Sequence, residues 1–249
     1  MRLEEICEFL DSFLKIKDIL DTSLNGLQVE GKKEIKRIAL SVDASLEAFI
    51  KTNEIHADLL IVHHGLFWEK QEPITGILYR RLKVLIENEI SLYAAHLPLD
   101  MHPSIGNNIR ILKLFTEDTN PFGEYHGQKI GFSGRLEPPL NREEIIKKLN
   151  DTFNISCRIL PFGKEEIETI AVISGGGCDC AKEAVDKNID LFITGESKLF
   201  SWHLAKESEL NIVFGGHYAT ETPGIKGLME KIKKNFDIPC CFLDIPSWL

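Results

Sequence analysis

At 249 residues, with 43% apolar and 27% charged side chains, the chain has the length and composition of one large or two small α/β domains around a substantial core. Those proportions exclude a disordered polar chain. A formal net charge of −9 gives little non-specific attraction to nucleic acid, so nucleic-acid binding is not favoured and would need a local basic surface. The two basic clusters, Lys32, Lys33, Lys36 and Arg37, then Lys231, Lys233 and Lys234, alternate with apolar residues and read as solvated faces.

The N-terminal stretch is charged and lacks the basic start and continuous apolar run of a secretion signal. No apolar run is long enough to cross a bilayer, so no membrane partner is expected. The six cysteines show no Cys-x-x-Cys pair and no disulfide-framework spacing. Free thiols in a reducing cytosol, hence a cytoplasmic location, are the expectation. Cys178-Asp179-Cys180 is a weak candidate for a soft metal, because no second thiol pair lies at finger-like spacing.

Leu3, Ile6, Leu10, Phe13 and Leu14 make one apolar stripe, which predicts an opening helix. After a turn at Asn25-Gly26 come a strand over 38–42, a helix over 46–54, a buried strand over 59–62, a helix over 79–89 and a strand over 91–95. Strands alternating with helices predict crossover units and a mixed, mostly parallel sheet. From Thr116 to Phe162 the pattern changes: turns surround a strand over 129–133, followed by a helix over 142–149 and a strand over 157–160. The alternation resumes at Ile170. The expected organisation is a first α/β lobe over 1–115, a short linking α/β segment over 116–165 and a second α/β lobe over 166–249.

The two lobes repeat one another. The apolar run from Asp58 ends at His63-His64-Gly65, and the run from Asp190 ends at Thr194-Gly195-Glu196. Both halves then close a strand with His-x-x-x-carboxylate, His96 to Asp100 and His217 to Glu221. Two related lobes facing each other are inferred.

Adjacent histidines on a continuing strand point to opposite faces. At a strand's end, with Gly65 freeing the backbone to turn, His63 and His64 can converge. The carboxyl ends of parallel strands are where such folds open a ligand crevice. His217 follows a strand through Gly215-Gly216. Pro223 is expected at the first position of a helix capped by Thr222, leaving Glu221 in the preceding loop. Asp100 is placed likewise, before a helix over 105–114.

A cation gives His63, His64, Asp100, His217 and Glu221 a reason to assemble, with the metal site between the lobes. Imidazole plus carboxylate suits zinc, iron, manganese or cobalt better than calcium or magnesium. These donors exceed the needs of one tetrahedral ion and leave two divalent metal ions per subunit open to water, the mark of a catalytic site. A bridging carboxylate such as Glu221 would lower the pKa of a shared water.

His96 matches His217 in the repeat and could ligate, orient a ligand from behind or shuttle a proton, the last two being favoured. Glu196 is a candidate acid or base lining the same pocket. Ser174-Gly175-Gly176-Gly177 reads equally as an anion cradle or a tight turn. It is neither a Walker loop nor the full dinucleotide fingerprint, so no organic cofactor is implied.

Together these residues resemble the NIF-three-like family, known as GTP cyclohydrolase I type 2 homologues. The resemblance rests on Asn25-Gly26-Leu27-Gln28, His63-His64, the segments from Ala95 to Asp100 and from Ser174 to Gly177, and those from Asp190 to Glu196 and from Gly216 to Glu221. It implies a two-lobed α/β fold and a ring-shaped homohexamer whose metals face the interior. It also places His63, His64, Asp100, His217 and Glu221 on the family's dinuclear ligands. Gly65 stands where some members carry Pro, and 116–162 is too short for the large insert of longer members.

The function so implied is a metal-dependent hydrolase, in its specific form a cyclohydrolase attacking a purine nucleotide through a metal-bridging hydroxide. The alternative is a ring-shaped metal-containing binding protein for nucleic acid or a protein partner, without turnover.

Overall fold

The computed structural model describes residues 1–247. In chain order the elements begin with α1 (Leu3–Leu14), β1 (Gly26–Val29), β2 (Ile38–Asp43), α2 (Leu46–Glu54), β3 (Leu59–His64), α3 (Gly76–Glu87), β4 (Ser91–Ala94) and the single turn α4 (Leu97–Asp100). They continue with α5 (Asn107–Leu112), β5 (Asn120–Tyr125), β6 (Gln128–Asn141), α6 (Arg142–Phe153), β7 (Arg158–Pro161) and β8 (Glu166–Ile173). The remainder is α7 (Ala181–Asp186), β9 (Leu191–Thr194), α8 (Leu199–Glu207), β10 (Asn211–Phe214), α9 (His217–Asn235) and β11 (Cys240–Phe242). Two compact units result, one of Met1–Leu99 with Ile225–Ile245, the other built on Asp100–Gly224.

In the first unit the sheet order is β1-β4-β3-β2-β11. β4, β3, β2 and β11 run parallel, and β1 joins antiparallel at the edge. Phe49, Leu60, Val62 and Leu92 are fully buried, so the strands read as continuous apolar runs because both faces are covered. Ser45 caps α2 by accepting from Ala48 N at 3.1 Å, the helix start that the sequence predicts.

The second unit has the order β5-β6-β8-β9-β10-β7, with β8, β9 and β10 parallel and the flanking pairs antiparallel. Its core holds Ile170, Val172, Ile193 and Val213, all fully buried. Where the sequence suggests a separate linking segment over 116–165, β5, β6 and β7 are ladder members of this sheet. Their backbone groups need partners, and β8 and β10 supply them.

The repeat seen in the sequence has a structural counterpart. Asp58, just before β3, accepts from Lys36 N at 2.8 Å and Lys32 Nζ at 3.0 Å. Asp190, just before β9, accepts from Glu168 N and Thr169 N, each at 2.9 Å. Asp58 ties the start of β3 to chain leading into β2, and Asp190 ties the start of β9 to the first half of β8.

All six cysteines are free. Burial pushes the thiols of Cys157 and Cys180 up to about 11, so they stay protonated near neutrality. Among the described residues no helix is long and apolar enough to cross a membrane.

Candidate metal centre

In the first unit, three parallel strands end side by side. The β2–β3 register pairs Asp43 with His64, and the β3–β4 register pairs Val62 with Ala94. His63 and His64 are the last two residues of β3. Their rings nevertheless converge, with centroids 4.6 Å apart. The His96 ring lies 5.1 Å from that of His63 and 5.6 Å from that of His64. Each of the three histidines offers a ring nitrogen, and these atoms lie within 4.8 Å of one another.

Each ring is held from behind by its Nδ1. His63, fully buried, has Nδ1 at 2.9 Å from the Ala95 carbonyl. His64 Nδ1 is 2.8 Å from Asp43 Oδ1. His96 Nδ1 meets both Asp21 oxygens, at 3.0 and 3.1 Å. An imidazole that donates through Nδ1 to an oxygen presents Nε2 as its lone-pair donor, the state a metal ligand requires. Burial alone would raise the Asp21 pKa. Hydrogen bonds from His96 and Asn25, the His96 charge and the Ser23 N–H outweigh that penalty and hold it at about 2.

Asn25 braces this corner, accepting from His96 N at 2.7 Å and donating to Asp21 Oδ2 at 2.9 Å. Gly65 is needed for space and not for a special backbone angle. A Cβ there would lie 2.4 Å from Gln28 Nε2 and 2.7 Å from Ala94 Cβ, while its φ is not positive.

In the second unit His217 and Glu221 follow the end of β10, with Gly175 after β8 and Glu196 after β9 beside them. The structure corrects the expected loop around Glu221. α9 starts at His217, with Pro223 inside it, so His217 and Glu221 stand one helical turn apart on one face. Pro223 has no N–H for the Ala219 carbonyl, and Thr222 Oγ1 donates to that carbonyl instead at 3.0 Å. That substitution lets the helix run through the proline. Asp100 likewise ends the turn α4, where a loop is expected.

Glu221 is 3% exposed, and its Oε1 lies 3.0 Å from His217 Nε2. His217 Nδ1 is 2.6 Å from Glu196 Oε1, so Glu196 orients His217 as Asp43 orients His64. Asp100 Oδ1, in the same unit, accepts from Asn107 Nδ2 at 2.8 Å and Ser174 Oγ at 3.0 Å. Asn107 in turn accepts from Gly224 N at 2.7 Å.

Gly175 makes room for the donors. Its φ is +57°, and a Cβ there would lie 2.1 Å from Glu221 Oε1 and 2.9 Å from His217 Nε2. Its carbonyl accepts from Gly195 N and Glu196 N, each at 3.0 Å, and its own N–H donates to Thr220 Oγ1. At this position the glycine run serves a tight turn, the second of its two readings. Cys178 and Cys180 belong to neither candidate donor group among the described residues.

The residues present fit a divalent metal. Four imidazoles have Nδ1 taken up by oxygen, and Gly175 leaves the space at His217 and Glu221 that a side chain would fill. Sequence reading missed Asp21, Asp43, Asn25 and Asn107 as supports. Two of them carried a signal, Asn25 in the turn and the segment Asn25-Gly26-Leu27-Gln28, and Asp43 as the residue directly after the predicted strand over 38–42.

A protein with two mixed α/β sheets and histidine–carboxylate groups at its strand ends is thereby defined. The chain belongs to the Duf34/NIF3 (NGG1p interacting factor 3) family, whose model matches residues 1–247. It is 47% identical over 248 residues to an Archaeoglobus fulgidus protein named GTP cyclohydrolase 1 type 2 homolog, with 99% of each chain covered. A Pyrococcus horikoshii protein of the same name is 44% identical, with 100% of both chains covered. Among solved structures, TTHA1606 from Thermus thermophilus is similar at a TM-score of 0.91 and 38% identity, with 100% of both chains covered.

Proposed function

We propose that this chain is a dinuclear metal-dependent hydrolase, cyclohydrolase-like in its action on a purine nucleotide. We propose further that its two donor groups, His63 with His64 and Asp100 with His217 and Glu221, serve one pair of divalent cations, with His96 beside them. The observation that carries the reading is that His63, His64 and His217 are each held at Nδ1 by an oxygen, while Nε2 of His217 lies 3.0 Å from the buried Glu221 carboxylate, as two donors to one ion would. The names of the similar proteins support the substrate class.

When bound, a pair of such cations supplies Lewis-acid polarisation and a water acidic enough to act as nucleophile near neutral pH. The chain's own groups then have distinct tasks. Asp43 and Glu196 fix the rings of His64 and His217. Asn107 and Ser174 aim the Asp100 carboxylate through its Oδ1. His96, with Nδ1 committed to Asp21, has Nε2 as its proton-handling atom and is assigned proton transfer to the leaving nitrogen. Glu196 is assigned positioning and not acid–base work, because its Oε1 already accepts from His217.

The test begins with metal counted per chain in gently purified protein, followed by assay of the same sample against a nucleotide panel. His217→Ala and Glu221→Ala are expected to lose both ions and all hydrolysis. Full activity in a metal-free variant overturns the mechanism. Retention of a complete ion complement by His217→Ala overturns the sharing of one metal pair.

The assembly proposed with this activity is the homohexamer. Exposed apolar side chains on α8 and on and before α3 support it: Leu199 is 90% exposed, Ile77 62% and Ile74 60%. Light scattering giving the mass of a monomer or dimer rules it out.

A further inference from the structure

Trp68 belongs to none of the donor groups, yet it is built firmly beside one. The backbone on both sides of it is pinned. Glu69 N donates to Thr22 O at 2.7 Å, Leu24 N donates to Phe67 O at 3.0 Å, and Leu66 N donates to Gln28 Oε1 at 2.7 Å. Gln28 Nε2 returns a bond to Phe67 O at 3.3 Å. From Glu69 to Thr75 the chain is exposed, whereas Trp68 is half-buried.

The indole stands 5.0 Å from the His96 ring at an interplanar angle of 72°, and 6.4 Å from the His64 ring. A large aromatic side chain in a polar loop gains most by turning into the core. Trp68 is instead placed against two imidazoles of the candidate metal centre, with part of its surface open. The perpendicular contact with His96 fixes the plane of the indole, which is the preorganisation that a stacking surface needs.

We propose that Trp68 is the platform on which a planar heteroaromatic ring, a nucleobase of the substrate, stacks beside the His63–His64–His96 group. The proposal rests on the nucleotide-hydrolase reading and deepens it. Every base has a π-face, so a stacking platform distinguishes a nucleotide from a sugar phosphate far better than it distinguishes one base from another. Trp68 therefore sets the class of ligand, and discrimination among purines falls to other groups.

The experiment uses the full zinc-loaded chain. Replacing the other two tryptophans, Trp202→Phe and Trp248→Phe, makes Trp68 the sole indole. Guanosine monophosphate and adenosine monophosphate are expected to quench its fluorescence with dissociation constants within a few-fold of each other, and ribose 5-phosphate is expected to leave it unchanged. In the otherwise unaltered chain, calorimetry should show Trp68→Leu weakening guanosine monophosphate by roughly tenfold, the scale of one base–aromatic stack. Trp68→Tyr should recover most of that loss, with zinc content and Tm unchanged in both variants.

Absence of nucleotide binding by the unaltered chain overturns the proposal, as does Trp68→Leu binding guanosine monophosphate as tightly as the parent. Equal weakening of ribose 5-phosphate, or loss of zinc, assigns Trp68 to a structural wall and overturns it too. Trp68-dependent binding without any hydrolysis sinks the hydrolase reading and leaves the platform standing. Hydrolysis with an unchanged KM in Trp68→Leu does the reverse.

Discussion

Oδ1 of Asp43 sits 2.8 Å from Nδ1 of His64, directly across the β2–β3 ladder that pairs the two residues. A carboxylate at that distance fixes both the tautomer and the tilt of the ring, and raises the basicity of Nε2. Neighbouring parallel strands thus supply the candidate ligand and its support from one register.

Asp43→Ala should therefore weaken zinc binding by about 10- to 100-fold, the usual effect of losing such a support. Asp43→Asn should fall between, since its amide oxygen still accepts from Nδ1–H. Competition against a chromophoric chelator measures both. An affinity equal to that of the parent would remove Asp43 from the site.

Gly175→Ala should cost about 1–2 kcal/mol through its left-handed backbone alone. It should also abolish metal binding, because the new methyl would meet Glu221 and His217 at 2.1 and 2.9 Å. Gly176→Ala is the control, since a Cβ there has nothing within 4 Å. Metal content and thermal melts of the two variants decide the matter. Matching behaviour would mean that the close approach at Gly175 is not a constraint.

Thr222→Val should destabilise the chain by about 1 kcal/mol, leaving the partly buried Ala219 carbonyl without its hydroxyl donor. Supplying an N–H by Pro223→Ala should shrink that cost, which a double-mutant cycle in urea reads directly. Additive effects would show that hydroxyl and proline are uncoupled.

Glu183 carries a pH signature. Burial would raise its pKa, but Lys187 at 2.7 Å, Glu124 N–H at 2.7 Å and Lys129 at 3.1 Å hold it down from 4.5 to about 2. A folded-state pKa below the unfolded value means that the unfolded chain binds more protons in that window, so stability rises with pH there. The contribution is complete above about pH 4.5 and lost as pH falls through about 2. Glu183→Gln should be less stable than the parent near neutrality, with the gap closing across that interval. A gap that persists at pH 2 would contradict the assignment.

The parts legible in the sequence were those written in local patterns. β2, α2, β3, β4 and the polar residues at their ends follow from apolar runs and punctuation, which is why the histidines could be singled out. β1 and β11 could not be read, because four and three residues become strands only by pairing with β4 and β2. The helical start at His217 was hidden by Pro223, whose helix-breaking signal is offset by a single hydroxyl. Asp21 stayed hidden because its meeting with His96 spans 75 residues of chain.

Placing His217 and Glu221 on successive turns of α9 makes the three residues between them a ruler of fixed length. Adding or deleting one residue there would swing one donor about 100° around the helix axis. Whatever else holds Tyr218, Ala219 and Thr220 in place, their number is set by the angular step of the helix.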